Sequence, residues 1–416
     1  MHKNRRLVIV IIASSALALI MALLSNVAAS FLAPTFASRP RLVWAALLVT
    51  FLLSLPLAMY LTGRQPPIPV SPPADFLPPA PYARFYGRET LIDDLMDVLR
   101  EPGARMVVGI DGLGGIGKTA VARQLVERSL NEKLFEAVIW EPRATGGATT
   151  VSTPLTWQSF VAAAGRQLGA PDIQRLSPVE QSERLAELMA RTKTLLVLDN
   201  LETARTYQAE FAQRLAPLLL PASKAILTSR RRFTGDVFAV HLGGLDEESS
   251  LQLARHEARI KGIERVFRSP NEKLRALATK TGGSPLAIKL IVGQLHHLPL
   301  DTVLASLENV HFDQMESGDD EYIVFYKGIF WRSWRVLSRE ARRLLVSMSI
   351  FSPGLGGTLE MVIAISGINP SRIPQRLDEL WRASLIEVDS ASLDQTRYYL
   401  HPLTQYFVRS DIVKEE

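Results

Sequence analysis

Between Gly112 and Thr119 the chain reads Gly-Leu-Gly-Gly-Ile-Gly-Lys-Thr, a run of glycines closed by a lysine and a hydroxyl. That order suits one chemistry. Glycines let consecutive backbone N–H groups approach an anion, and a helix that begins at the lysine adds the positive end of its dipole. Lys118 then reaches the β- and γ-phosphates of a nucleoside di- or triphosphate, while the Thr119 hydroxyl serves Mg²⁺. Gly112, Gly114, Gly115, Ile116, Gly117, Lys118, Thr119 and Ala120 are the expected phosphate-side contacts. Further on, Asp199 ends the apolar run Leu195–Leu198, where a carboxylate can hold Mg²⁺ directly or through water. Arg230 closes Leu227-Thr228-Ser229 and is suited to sensing a γ-phosphate by charge-assisted hydrogen bonds. Lys118, Asp199 and Arg230 are the candidate catalytic groups, and Thr119 with Asp199 the candidate Mg²⁺ ligands. Asn200, next to Asp199, cannot act as a base. Glu202 is the nearest carboxylate able to polarise a water, with a surface role equally open to it. Hydrolysis is therefore expected to be slow or absent. Arg231 and Arg232 read as a solvated basic face.

These groups need a scaffold, and the patterning supplies one. Short apolar runs predict strands over 106–110, 137–140, 194–198 and 225–228. Helical spacing is present over 89–100, 120–132, 160–168, 179–190 and 207–216. Strands alternating with helices imply an α/β domain, a parallel sheet with helices on both faces, over residues 82–243. Residues 244–312 read as helical throughout, in pieces at 251–260, 271–281, 286–295 and 301–307.

The bulk properties frame the rest. Hydrophobic residues make up 47% and charged residues 21% of the 416, which suits a large core plus a greasier segment. The absence of cysteine excludes disulfides, thiolate metal sites and cysteine nucleophiles. A net charge of +5 favours acidic surfaces such as anionic lipid or nucleic acid without choosing between them. The grease lies at one end: residues 7–33 and 42–62 carry no charge, each long enough to cross a bilayer as a helix. They predict a transmembrane hairpin over 1–63; a cleaved signal peptide is the alternative for the first run. Lys3, Arg5 and Arg6 before the hairpin and Arg64, Arg84 and Arg88 after it put both ends on the cytoplasmic side by a slim margin. Residues 64–81 are a proline-rich linker, expected to be extended and semi-rigid.

Five segments in one order carry a family resemblance: Gly87-Arg88-Glu89, Gly112–Thr119, Leu196-Val197-Leu198-Asp199-Asn200, Leu227-Thr228-Ser229-Arg230 and Gly283-Ser284-Pro285-Leu286-Ala287. Together they resemble NB-ARC proteins of the STAND class of signalling P-loop NTPases. The resemblance implies an α/β P-loop domain, then a helical lid domain, then a winged-helix domain over 313–416. It implies that Gly87 and Arg88 line the base and ribose, and that Pro285 packs on the adenine. Read on its own, Gly283–Leu286 is a helix start with proline in the first turn. From Trp331 the chain resembles the winged helix, with a helix capped by Ser338, another over 373–383, strands at 385–388 and 398–400, and a wing at 389–395. Leu400-His401-Pro402-Leu403 resembles the MHD motif, whose histidine contacts the β-phosphate of ADP; Pro402 replaces the aspartate. A neutral-to-charged change of His401 is the chemistry this implies.

The reading that follows is a membrane-anchored ADP/ATP switch, multi-pass with its soluble domains cytoplasmic. Its ligands are adenine nucleotide and Mg²⁺, with membrane lipid, self-association and an unidentified protein as partners. Two alternatives stay open. One is a turnover ATPase, against which Asn200 stands. The other is a nucleic-acid-binding regulator using Arg339, Arg342 and Arg343 on the winged helix.

Overall fold

Four of the strands are buried along their length, Glu141 at the end of one of them being partly exposed, and their burial explains the layering. In the computed structural model, which describes residues 77, 84–101, 106–141, 156–201, 214–215, 218–219, 223–307, 320–351, 356–389 and 396–413, they are β1 (Val107–Asp111), β2 (Ala137–Glu141), β3 (Thr194–Leu198) and β4 (Lys224–Ser229). A fifth strand, β5 (Phe238–His241), completes a parallel sheet of order β2-β3-β4-β1-β5. It is not among the strands expected from sequence, although Val237–Val240 is a short apolar run, and as an edge strand it is largely exposed.

Alternation along each strand feeds two cores. Leu195 and Val197 of β3 pack with α1 (Glu89–Arg100) and α2 (Lys118–Asn131), through Leu95, Met96, Val121 and Leu125. Leu196 and Leu198 pack on the other face with α3 (Trp157–Gln167) and α4 (Pro178–Met189), through Phe160, Ala164, Leu185 and Leu188. Capping boxes at Thr156 and Ser177 fix where α3 and α4 begin. Helices on both faces of a parallel sheet are thus as expected. Of the helix predicted over 207–216, only Arg214 and Leu215 are among the described residues.

A run of helices follows: α5 (Glu247–Ile260), α6 (Glu264–Phe267), α7 (Asn271–Lys280), α8 (Pro285–Gln294) and α9 (Leu300–Ala305). After it come α10 (Asp320–Val336), which contains Trp331, and α11 (Arg339–Met348), capped by the Ser338 hydroxyl. Short β6 (Gly357–Thr358), α12 (Leu359–Ser366), α13 (Ile373–Arg382), β7 (Glu387–Asp389) and β8 (Arg397–Tyr399) complete a small antiparallel sheet of order β6-β8-β7. The chain then enters α14 (Pro402–Phe407). One apolar core joins these parts, from Leu251 and Leu286 through Tyr326 and Phe330 to Leu380 and Phe407.

The two apolar runs, the proline-rich linker (Leu77 excepted), Glu202 and the wing beyond Asp389 lie outside the described residues. Among the described residues, no helix is long and apolar enough to cross a membrane.

Candidate functional site

The glycine loop joins β1 to α2. Gly112, Gly115 and Gly117 have φ of 149°, 76° and 105°, which a residue with Cβ adopts only under strain. Gly117 ends the loop, and no side-chain hydrogen bond caps α2. Lys118 Nζ donates to the carbonyls of Gly112 at 2.9 Å and Leu113 at 3.0 Å. This folds the lysine back along the loop. A Cβ on Gly114 would stand 3.5 Å from Arg230 Cζ, so the Arg230 guanidinium lies against the loop. Two cations, one from the start of α2 and one from the loop after β4, therefore lie against the glycine loop.

Beside it is an all-oxygen cluster. The Thr119 hydroxyl donates to the Asp199 carboxylate, at 3.0 Å and 2.9 Å from its two oxygens. Thr228 Oγ1 donates to Asp199 Oδ1 at 2.5 Å and accepts from the Asn200 backbone N–H at 2.8 Å. Hydroxyl and carboxylate oxygens are the donors Mg²⁺ takes, so Thr119 and Asp199 fit that ion. Thr228 has no signal of its own in the sequence. It meets Asp199 because Leu198 pairs with Leu227 across β3 and β4, a register that local patterning does not encode. Asn200 is held in the left-handed region at φ 66°.

The start of α8 packs against the loop. Leu286 N–H donates to Gly115 O at 3.3 Å, and a Cβ on Gly115 would stand 2.8 Å from the Leu286 side chain. Pro285 Cγ is 4.0 Å and Arg88 Nη1 2.8 Å from the place of a Gly117 Cβ. Arg88 caps α1 in the left-handed region, and its Nη2 donates to Gly243 O at 2.9 Å. Burial lowers its pKa to about 10. Gly87 is packed against Ser249 of α5. Gly87, Arg88 and Pro285 thus border the same end of the loop.

His401 arrives from the far end of the chain. Pro402 occupies the first turn of α14, which makes His401 its cap, and Nδ1 accepts the Leu403 N–H at 3.1 Å. That bond leaves the proton of the neutral ring on Nε2. Proline in place of aspartate has a local reason, since it is favoured at a helix's first position. Burial first, then the charges of Lys289, Arg230 and Lys118, lower the His401 pKa to about 3. Burial, with these three cations, favours the neutral imidazole in this structure. Lys289, on α8, went unrecognised in the sequence because a lone lysine on a helix carries no signal.

The sign of the pH effect follows. Unfolded, the imidazole has its ordinary value of 6.5; folded, it resists protonation down to about 3. Its contribution to stability is whole above 6.5 and is lost as pH falls from there towards 3. The unfolding midpoint of the parent is expected to fall more steeply over that window than that of His401→Gln. Parallel curves would contradict this.

Loop, strand-end carboxylate and parallel sheet together define a P-loop nucleotide-binding domain. More particularly, residues 88–257 match the model of the NB-ARC domain family. The match ends ahead of Pro285 and His401. Disease resistance protein RPP8 of Arabidopsis thaliana is 27% identical over 228 residues, 50% of this chain and 23% of that protein. An uncharacterized WD repeat-containing protein of Nostoc sp. is 24% identical over 378 residues, 80% of this chain and 26% of that protein. The chain spans about a quarter or less of the length of the curated relatives it matches. Among solved structures, a STAND protein with a tetratricopeptide repeat sensor from Pyrococcus horikoshii superposes with a TM-score of 0.52 at 19% identity, over 82% of this chain and 44% of that one. That likeness concerns the fold. NB-ARC and STAND P-loop NTPases bind nucleotide, generally with Mg²⁺.

Proposed function

We propose that the chain is a membrane-anchored switch governed by ADP and ATP, with slow or no hydrolysis. One observation carries the reading: Lys118 and Arg230 of the P-loop domain, Leu286 and Lys289 of the lid, and His401 of the C-terminal part converge on one hollow. A site made by a single domain would report nucleotide only to itself. This one spans three parts of the chain, so their arrangement depends on what it holds.

Bound Mg²⁺-nucleotide would supply the phosphate charge that these groups otherwise lack. Lys118 would leave the Gly112 and Leu113 carbonyls to pair with it. Thr119 and Asp199 would hold the cation, Arg88 and Pro285 border the base end, and the Nε2–H of His401 donate toward the phosphates. Asn200 offers no carboxylate to activate water, which argues against rapid turnover. Reading the unit from α11 to β8 as a winged helix is supported by its three helices and its antiparallel hairpin. Arg342 is spent within the fold, donating to the Trp334 and Arg335 carbonyls, which weakens the case for nucleic-acid recognition by this surface. The runs 7–33 and 42–62 support the anchor, and the disease-resistance relatives a signalling role.

The test is to identify the nucleotide that co-purifies with the full chain and to compare its oligomeric state in ADP and ATP. No bound nucleotide and no response would sink the reading. A second measurement addresses the metal. Mg²⁺ is expected to tighten ATP binding by the parent about tenfold, and that of Asp199→Asn hardly at all. Equal Mg²⁺ enhancement in both proteins would remove Asp199 from the metal site.

A further inference from the structure

Lys289 lies one helical turn beyond Pro285, so both sit on the face of α8 that meets the loop. Its Nζ bonds Glu387 Oε1 at 2.8 Å, and the two side chains are only 12% and 23% exposed. Glu387 opens β7, in the C-terminal sheet. Ser384 reinforces the same seam: its Oγ donates to Lys289 O at 2.6 Å and accepts from Lys261 Nζ, which pairs with Glu257 at 3.3 Å. The backbone of Ala383 stands 2.7 Å from where a Cβ on Gly293 would be, so α8 and the end of α13 touch without an intervening side chain. Burial opposes the charge of Lys289, but Glu387 and then Glu257 outweigh it and raise its pKa. The same ammonium is the strongest single charge acting on His401, ahead of Arg230 and Lys118. One cation thus belongs both to the phosphate hollow and to the seam between lid and C-terminal sheet.

We propose that Lys289 reads the terminal phosphate of the bound nucleotide and that Glu387 competes with that phosphate for it, so that the Lys289–Glu387 pair is the latch holding the C-terminal unit closed. This rests on the switch reading above. A buried pair suits the task because loss of one partner leaves the other charged and unmatched. With a diphosphate, Glu387 keeps Lys289 and the seam stays shut. A triphosphate brings further negative charge to the hollow, draws Lys289 off Glu387 and weakens the seam.

The chain has no cysteine, so Asp94→Cys on α1 and Gln375→Cys on α13, both exposed, give a unique fluorophore pair in the full chain. Closure is read as energy transfer in ADP and in a non-hydrolysable ATP analogue, beside direct titration of both nucleotides. Glu387→Gln is expected to raise the open population in ADP about tenfold. Lys289→Gln should open the seam likewise and also cut the preference for the ATP analogue over ADP about tenfold. The exchange Lys289→Glu with Glu387→Lys should restore closure, which also verifies folding, yet no longer respond to the ATP analogue. Glu387→Gln as closed as the parent, or an exchanged pair that still opens with the analogue, overturns the latch alone. A parent that binds neither nucleotide overturns the switch reading and the latch together.

Discussion

Lys118→Ala is expected to weaken nucleotide binding by roughly a hundredfold, the equivalent of about 3 kcal/mol for a lost charge-assisted contact. Two effects add. The variant lacks the one ammonium held within the loop, and it lacks the bonds from that ammonium to the Gly112 and Leu113 carbonyls that shape the loop without ligand. Lys118→Arg separates them, since it keeps the charge but not a compact ammonium able to fold back on those carbonyls. Titration with a fluorescent ADP analogue measures both. An unchanged affinity in Lys118→Ala would mean that the loop does not bind phosphate.

Gly283→Ala is expected to destabilise the chain by about 3 kcal/mol through backbone strain and overlap. Gly283 has φ +66°, and its Cβ would fall 2.1 Å from Leu245 O and 2.7 Å from Leu245 N. Neither atom is the end of a flexible side chain. Leu245 N–H also donates to Gly283 O at 2.9 Å, so relief of the overlap would break that bond. Gly262→Ala is the control: its φ is +70°, but nothing lies within 4 Å of its Cβ. It should lose only the left-handed penalty, about 1 kcal/mol. Equal unfolding midpoints for the two variants would show that the Leu245 contact is not what requires glycine. Because Gly283 precedes Pro285, the loss should reach the fit of α8 against the loop, so nucleotide affinity should fall as well.

How much of this was legible in advance depends on the range of the interaction. The spacing of Ile92, Leu95, Met96 and Leu99 gave α1 with its bounds, because a helix buries one stripe and four residues suffice to mark it. Met106–Ile110 stood out because a strand covered on both faces is apolar throughout. Ser338 as a helix cap was readable for the same local reason, since the hydroxyl bonds an N–H three residues on.

By itself the sequence determined the phosphate loop, the Mg²⁺ ligand pair Thr119 and Asp199 as candidates, and the alternation that makes a parallel sheet. Each depends on neighbours within a few residues or on a period of two or 3.6. Only the tertiary structure decided that Thr228 bonds Asp199, that Arg230 lies along Gly114, that Lys289 pairs with Glu387, and that burial favours the neutral form of His401. Those outcomes turn on strand register, on helix docking and on burial. Each is fixed by packing between segments far apart in the chain, and the electrostatics of the hollow exist only once that packing has excluded water from it.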